Sequence, residues 1–315
     1  MTDKVAFIFP GQASQEVGMG QTLAAKYPAA RTVFDEADEI LGFSLSRLCF
    51  EGPEEDLNDT INTQVAVFVT SMAALAALQA ADYTTKPAYV AGHSLGEYSA
   101  YAAAGALSFE AGLNLVRERG RLMKQAGEMN PGGMAAILKL DDDTVADICK
   151  KVVAEGHGVL QVANYNSPGQ LVISGHNAAI ERGVELAQEA KARRAIKLPV
   201  SIASHSELMR DIAAEFRAAI DKTPLNLPEI PIVANISAES LESLEAIRAE
   251  MEGQLTSSVR WTDSVRWMID QGVTRFIEVG PKNVLTGMIR WISKEVNTHN
   301  VATDADIEAL LNQNR

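Results

Sequence analysis

Short apolar runs alternate along the chain with longer stretches of helical period. "VAFIFPG", from Val5, reads as a buried strand ended by Pro10-Gly11. "NTQVAVFVTSMAALAALQAADY" is ambiguous: its front is β-branched, but its length and alanine content favour a helix. "PAYVAG" predicts a short strand that stops at Gly92. "SFEAGLNLVRERGRLMKQAGE" predicts a helix with Ser108 as its N-cap and Glu110 in its first turn.

The Pro/Gly break "MNPGGM" then changes the pattern. "MAAILKL" is strand-like, and "DDDTVADICKKVVAE" sets Val145, Ile148 and Val152 at helical spacing. "VLQVANYN" and "QLVISG" are strands around the turn signal "SPG". "NAAIERGVELAQEAKARRA" is helical, with Ile180 and Val184 on one face and a Glu189 to Arg193 pair in support, and "AIKLPVS" is a last strand. The order β-α-β-β-α-β is that of the ferredoxin-like motif. The predicted fold is therefore α/β, with residues 1–130 and 199–315 forming the larger unit and 131–198 an inserted ferredoxin-like subdomain. After the insertion "EIPIVANIS" is a strand, and "LESLEAIRAEMEGQL" is an amphipathic helix. "TRFIEVG" is a buried strand ended by Gly280-Pro281, and from about Asn297 the tail is polar and carries no motif.

Composition narrows the function classes. A chain of 315 residues, 47% apolar and 22% charged, can bury a sizeable core. The net charge of −13 argues against nucleic acid as a general partner, which needs a basic face. Cys49 and Cys149 are the two cysteines and form no CxxC, so two buried thiols in a reducing cytosol are expected. The apolar run at the N-terminus is too short for a signal peptide, and "VAVFVTSMAALAALQAA" is broken by Thr70, Ser71 and Gln79. A soluble, cytoplasmic protein with no membrane segment is expected, and a monomer.

The chemistry centres on "VAGHSLGEYSA", where Ser94 stands in a Gly-x-Ser-x-Gly frame between a strand and a helix. That context fits a nucleophile elbow, in which the serine takes a strained conformation and neighbouring chain passes close to the glycines. An ordinary turn with a capping serine would need no flanking glycines. A neutral serine needs a base. His93 adjoins it but should point to the opposite face, as a structural hydrogen-bonder under the elbow. His157, His176 and His299 lie in a loop, at a strand end and in the tail, and His205 in "PVSIASHSELM" is the best of the five. "FPGQASQ" follows the first strand, where backbone N–H groups could supply half of an oxyanion hole and the Leu95 N–H the other half. In "VRERGRLM", Arg117 and Arg121 share a face, whereas Arg119 points toward Leu115 and Leu122. A half-buried arginine there wants a carboxylate.

"FPGQASQ", "GHSLGEYSA", "VRERGRLM", "NYNSPGQLVISG", "SHSELM", "EGQLTSSVRW" and "EVGPKNVLTG" occur in this order. Together they resemble the malonyl-CoA:acyl carrier protein transacylases, over Met1 to about Ile292. The resemblance implies an α/β-hydrolase-like core with a ferredoxin-like insert. It implies Ser94 as the nucleophile, His205 as its base, and oxyanion-hole N–H groups from Gln12 and Leu95. Arg119 would pair with the free carboxylate of malonyl, and Gln254 would lie at the site, where a backbone carbonyl orients the histidine. The partners implied are malonyl-CoA, as substrate, and holo acyl carrier protein; no metal and no redox cofactor is expected. Lys191, Arg193, Arg194 and Lys197 form the densest basic segment for docking an acidic carrier. The family pattern "PGQGSQ" carries a glycine where this chain has Ala13, at a cost if that position needs positive φ. A loader of another acyl group such as methylmalonyl, a serine hydrolase and a non-catalytic binding module are the rival readings.

Overall fold

The computed structural model describes residues 4–313. Ten strands run in chain order: β1 (Lys4–Phe9), β2 (Tyr89–Gly92), β3 (Gly132–Leu138), β4 (Leu160–Ser167), β5 (Gln170–His176), β6 (Arg194–Lys197), β7 (Ile232–Val233), β8 (Ser240–Leu241), β9 (Val273–Val279) and β10 (Asn297–Val301). They form two sheets.

The larger sheet has the order β10-β9-β1-β2-β7-β8 and is parallel except for the β7–β8 pair. Its central strand β1 is buried on both faces from Val5 on, which suits a parallel sheet covered by helices on each side. Alternation divides the strand residues between two cores. Phe7, Phe9, Val90 and Ile277 pack on the side of the helix Thr60–Ala80. Ala6, Ile8, Ala91 and Phe276 pack against Trp261, Val265 and Leu285.

Thr60–Ala80 is the ambiguous segment of the sequence, and it is one helix of 21 residues, started by the Asp59 carboxylate accepting from the Ile61 N–H. It is long and apolar enough to cross a membrane, yet most of it is enclosed by the fold. It packs between the helices Pro28–Leu41 and Phe109–Met129, and a helix apolar on all sides suits that place. Ser108 caps Phe109–Met129 as predicted, its Oγ accepting from the Ala111 N–H at 3.1 Å.

The smaller sheet has the order β4-β5-β3-β6, antiparallel throughout, which is the ferredoxin-like arrangement. The helices Asp142–Ala154 and Asn177–Glu189 cover one face through Val145, Val152, Ile180 and Leu186. A bulge between Val162 and Asn164 shifts the phase of β4. Leu160, Val162 and Tyr165 therefore pack toward the helices, while Asn164 and Asn166 reach a central cavity between the two sheets.

Two expectations are corrected. Glu189 ends its helix, so it cannot support Arg193 at helical spacing; its carboxylate lies 3.9 Å from Arg182 instead. The polar tail, to which the sequence assigns no element, holds two. β10 adds a parallel edge strand to β9, and the helix Asp304–Gln313 follows with Ile307 and Leu310 buried. A polar edge strand has no apolar run to announce it, because charge and polarity at an edge guard against unwanted pairing.

If the tail belongs to the core, Ile307→Ala should cost about 2–5 kcal/mol of stability in urea unfolding. A loss below about 0.5 kcal/mol, typical of surface positions, would contradict that packing.

Candidate active site

Ser94 stands on the tight turn between β2 and the helix Gly96–Ala103, with φ at +53°. Strain of this kind persists only where the surroundings impose it. Here the two flanking glycines do so by allowing close approach rather than by their own dihedrals. A Cβ on Gly92 would lie 1.9 Å from the Gly96 carbonyl carbon, and one on Gly96 would lie 2.0 Å from the Phe9 carbonyl oxygen. The Ser94 N–H donates to Asn235 Oδ1 at 2.7 Å.

Of the five histidines, His205 is the one the fold brings to this serine: its Nε2 is 2.7 Å from Ser94 Oγ. Its Nδ1 lies 2.8 Å from the Gln254 carbonyl oxygen and 3.1 Å from that of Ser257. Carbonyls only accept, so Nδ1 carries the proton and Nε2 is left bare to accept from the serine hydroxyl. Burial, and then the charge of Arg119, pull the imidazole down to about 3. The imidazole therefore stands neutral, with Nε2 open to the serine hydroxyl. His93 makes a structural hydrogen bond as expected, its Nε2 2.8 Å from Asn166 Oδ1 and its ring against Trp261, but it does not turn to the opposite face: it lines the same cavity as Ser94. His176 accepts from the Val159 N–H, His157 stands beside Glu155, and His299 is on β10.

Arg119 is fully buried. Its neighbour Arg121 turns outward to Glu118 and Glu215, which fits the predicted opposition of faces. No carboxylate among the described residues meets the Arg119 guanidinium. Nη1 donates to Gln64 Oε1 at 2.7 Å and reaches Met123 Sδ, while Nη2 donates to Gln254 Oε1 at 2.9 Å and to Ser94 Oγ at 3.1 Å. The Tyr98 ring lies 5.5 Å beneath. Its Nε–H has no partner among the described residues. A buried cation held by neutral amides beside Ser94, with no carboxylate partner among the described residues, can bind an anion.

Gln12 and Leu95 flank the serine on the two loops that meet there. Leu95 precedes the helix Gly96–Ala103, and neither its N–H nor that of Gln12 donates to another group among the described residues. The Gln12 side chain is tied to Gln64, whose Nε2 donates to Gln12 Oε1 at 3.3 Å. Ala13 does hold positive φ, at +80°, with its N–H bonded to Gln15 Oε1. The cavity over the serine measures about 530 Å³ and is walled by Gln12, His93, Asn166, Ile202, His205 and Met288. No cluster of acidic, histidine and cysteine side chains fit for a metal occurs among the described residues.

Gln64, Met123 and Asn235 escaped the sequence reading. Gln64 is a lone amide in an apolar helical run, and Asn235 a polar residue closing "PIVAN". Each is a weak signal, since solvated amides look the same in a sequence.

Two outcomes check this geometry. With the imidazole held so low, His205 itself should change the rate constant for acylation of Ser94 less than about twofold between about pH 8 and about pH 5.5. A tenfold fall centred near the ordinary histidine value that persists in Glu250→Gln, where the buried carboxyl at about 7 is gone, would refute the buried neutral base. Ala13→Gly relieves a left-handed alanine costing about 1–2 kcal/mol, partly offset by about 0.4–1 kcal/mol of added chain entropy. A net gain of a few tenths to about 1 kcal/mol in thermal unfolding is expected; a clear loss would contradict the strained loop.

Residues 6–310 match the acyl transferase domain family. The malonyl CoA-acyl carrier protein transacylase of Bacillus subtilis is 43% identical over 305 residues, covering 97% of this chain and 95% of the relative. Its counterpart in Escherichia coli K12 is 43% identical over 287 residues, covering 91% and 92%. Among solved structures, a malonyl-transacylase in complex with its type II PKS acyl-carrier protein superposes with a TM-score of 0.95 at 38% identity, over 99% of this chain and all of that one. The acyl-carrier-protein S-malonyltransferase of Burkholderia pseudomallei gives 0.94 at 39% identity, over 98% and 99%. Family match, sequence and fold agree over nearly the whole length, and the chain belongs to the acyl transferase family, among its malonyl CoA-acyl carrier protein transacylases.

Proposed function

We propose that this enzyme moves malonyl from malonyl-CoA to the pantetheine thiol of holo acyl carrier protein through a malonyl ester on Ser94. The observation that carries the reading is Arg119, a buried guanidinium whose Nη2 lies 3.1 Å from the Ser94 oxygen and which meets no carboxylate among the described residues. An acyl group on Ser94 that ends in a carboxylate can fold back onto it; an acetyl group offers it nothing.

His205 Nε2 takes the Ser94 proton as the oxygen attacks the thioester carbonyl. The tetrahedral oxyanion lies between the Gln12 and Leu95 N–H groups, neither of which donates elsewhere among the described residues, and the helix that begins after Leu95 adds its positive end. The C–S bond breaks, and the CoA sulfur leaves with the proton from His205. The carrier's thiol then gives its proton to His205, attacks the ester and releases Ser94 with the proton returned. Thioester, ester and thioester are close in energy, so the transfer runs both ways. Pairing with Arg119 fixes the acyl chain and helps to keep water from the ester. No step calls on a metal or a redox group.

Lys191 and Arg193 are exposed just before the edge strand β6 and Arg194 and Lys197 on it, and the chain that follows, Leu198 to Ile202, walls the cavity. That continuity supports docking of an acidic carrier at this edge, with its prosthetic arm entering beside β6. The two buried free thiols suit a reducing, cytoplasmic setting.

Intact mass after mixing with malonyl-CoA tests the covalent step: a malonyl adduct on the wild type and none on Ser94→Ala is expected, and a wild type without adduct ends this mechanism. Arg119→Ala should lower malonyl loading by about thirtyfold or more while sparing acetyl loading; equal losses on both would remove the carboxylate role. Arg193→Glu with Arg194→Glu should slow transfer to carrier protein, less so at high salt, and leave the malonyl-CoA half-reaction intact. Unchanged transfer would move the docking site elsewhere.

A further inference from the structure

Behind the elbow two carboxyl groups converge on one backbone N–H, which the mechanism above does not use. Asn235 N–H donates to Glu97 Oε1 at 2.9 Å and to Glu250 Oε1 at 3.0 Å. Glu97 is fully buried and Glu250 nearly so. Two carboxylates this close in a buried site cannot both ionise. Burial pushes Glu250 up to about 7, and burial followed by the charge of Glu250 pushes Glu97 well above the usual range. Arg119, Tyr98 and Tyr101 face the pair from their helices.

The pair touches two residues that between them hold most of the catalytic geometry. Glu97 Oε1 also accepts from Asn235 Nδ2 at 3.0 Å, and Glu97 Oε2 accepts from Gln254 Nε2. Asn235 in turn accepts the Ser94 N–H and donates to the Gly92 carbonyl at 2.7 Å. Gln254 donates to the Ser94 carbonyl at 3.0 Å, accepts from Arg119, and gives its own carbonyl to His205. We infer that Glu97 and Glu250 share one proton and act as a positioning pair, holding Asn235 and Gln254 and through them the Ser94 turn, Arg119 and His205. The inference rests on the Ser94–His205 acyl-transfer reading.

The hydrogen-bond inventory makes the pair unequal. Both oxygens of Glu97 accept N–H bonds, so an amide there would set N–H against N–H on one side or the other. Among the described residues one oxygen of Glu250 accepts N–H bonds, from Asn235 and Ile236, so an amide there keeps that oxygen and replaces the shared proton with its own N–H. Glu250→Gln also leaves the pair with the same single charge.

The test is the rapid-quench rate of Ser94 ester formation against malonyl-CoA concentration, with thermal unfolding as the check on folding. Glu250→Gln should keep the maximal rate within about threefold of wild type. Glu97→Gln and Glu97→Ala should lower it by about tenfold or more, with the half-saturating concentration shifted less than about threefold. If the Glu97 variants do not fold, Glu250→Leu, which strips the acceptor from the Ile236 N–H and one of the two from the Asn235 N–H, should show the slowing that Glu250→Gln escapes. A folded Glu97→Gln at wild-type rate, a Glu250→Gln as slow as it, or a Glu250→Leu as fast as wild type would each overturn the inference. Wild-type enzyme that forms no ester would instead strike the underlying reading, before any variant is compared.

Discussion

The hydrogen bond from His205 Nδ1–H to the Gln254 carbonyl is the contact on which the site depends. Its net worth is modest, about 0.5–1.5 kcal/mol. What it decides is which nitrogen is bare. With Nδ1 committed to two carbonyls, Nε2 can only accept, and Ser94 is the group placed to give it a proton. A carboxylate in place of those carbonyls would raise the basicity of the imidazole, but it would also set a negative charge where malonyl brings one. It would compete for Arg119 as well. Neutral carbonyls orient the imidazole and leave Arg119 without a carboxylate partner among the described residues.

The fold delivers this arrangement through close backbone contact. Ser94 leaves the carboxyl end of β2, next to the end of β1 from which Gln12 follows, the usual place for a site in a parallel sheet. The glycines on either side let those segments approach within the radius of a methyl group. The second sheet closes the cavity from the other side through β4, whose bulge turns Asn164 and Asn166 inward, and Gln161 Nε2 donates to the His205 carbonyl at 3.0 Å. Arg119 stands in the wall behind, at a desolvation cost the fold meets with amide oxygens and an aromatic face.

Much of this was legible in the sequence. Strand runs ended by glycine, the Gly-x-Ser-x-Gly frame, the βαββαβ order and the lone inward arginine all follow from periodicity and residue type. The resemblance across seven motifs selected His205 among its rivals. What stayed hidden is of two kinds. Backbone acceptors such as the Gln254 and Ser257 carbonyls carry no residue signature at all. Residues such as Glu97, Asn235 and Gln64 act by meeting groups far along the chain: Glu97 follows Ser94 closely, but its partners are 138 and 157 residues away. The polar strand β10 was missed because its pairing is made by backbone, not by apolar side chains. The predicted Glu189 to Arg193 pair failed because the helix ends at the first of the two residues.

The claim that the base is a neutral imidazole with its proton on Nδ1 can be read directly from nitrogen NMR of the enzyme with isotope-labelled histidine. The account predicts one His205 signal pair, a protonated Nδ1 and a bare Nε2, unchanged from about pH 8 to about pH 5. An Nε2-protonated ring, or conversion to imidazolium near the ordinary histidine value, would contradict it.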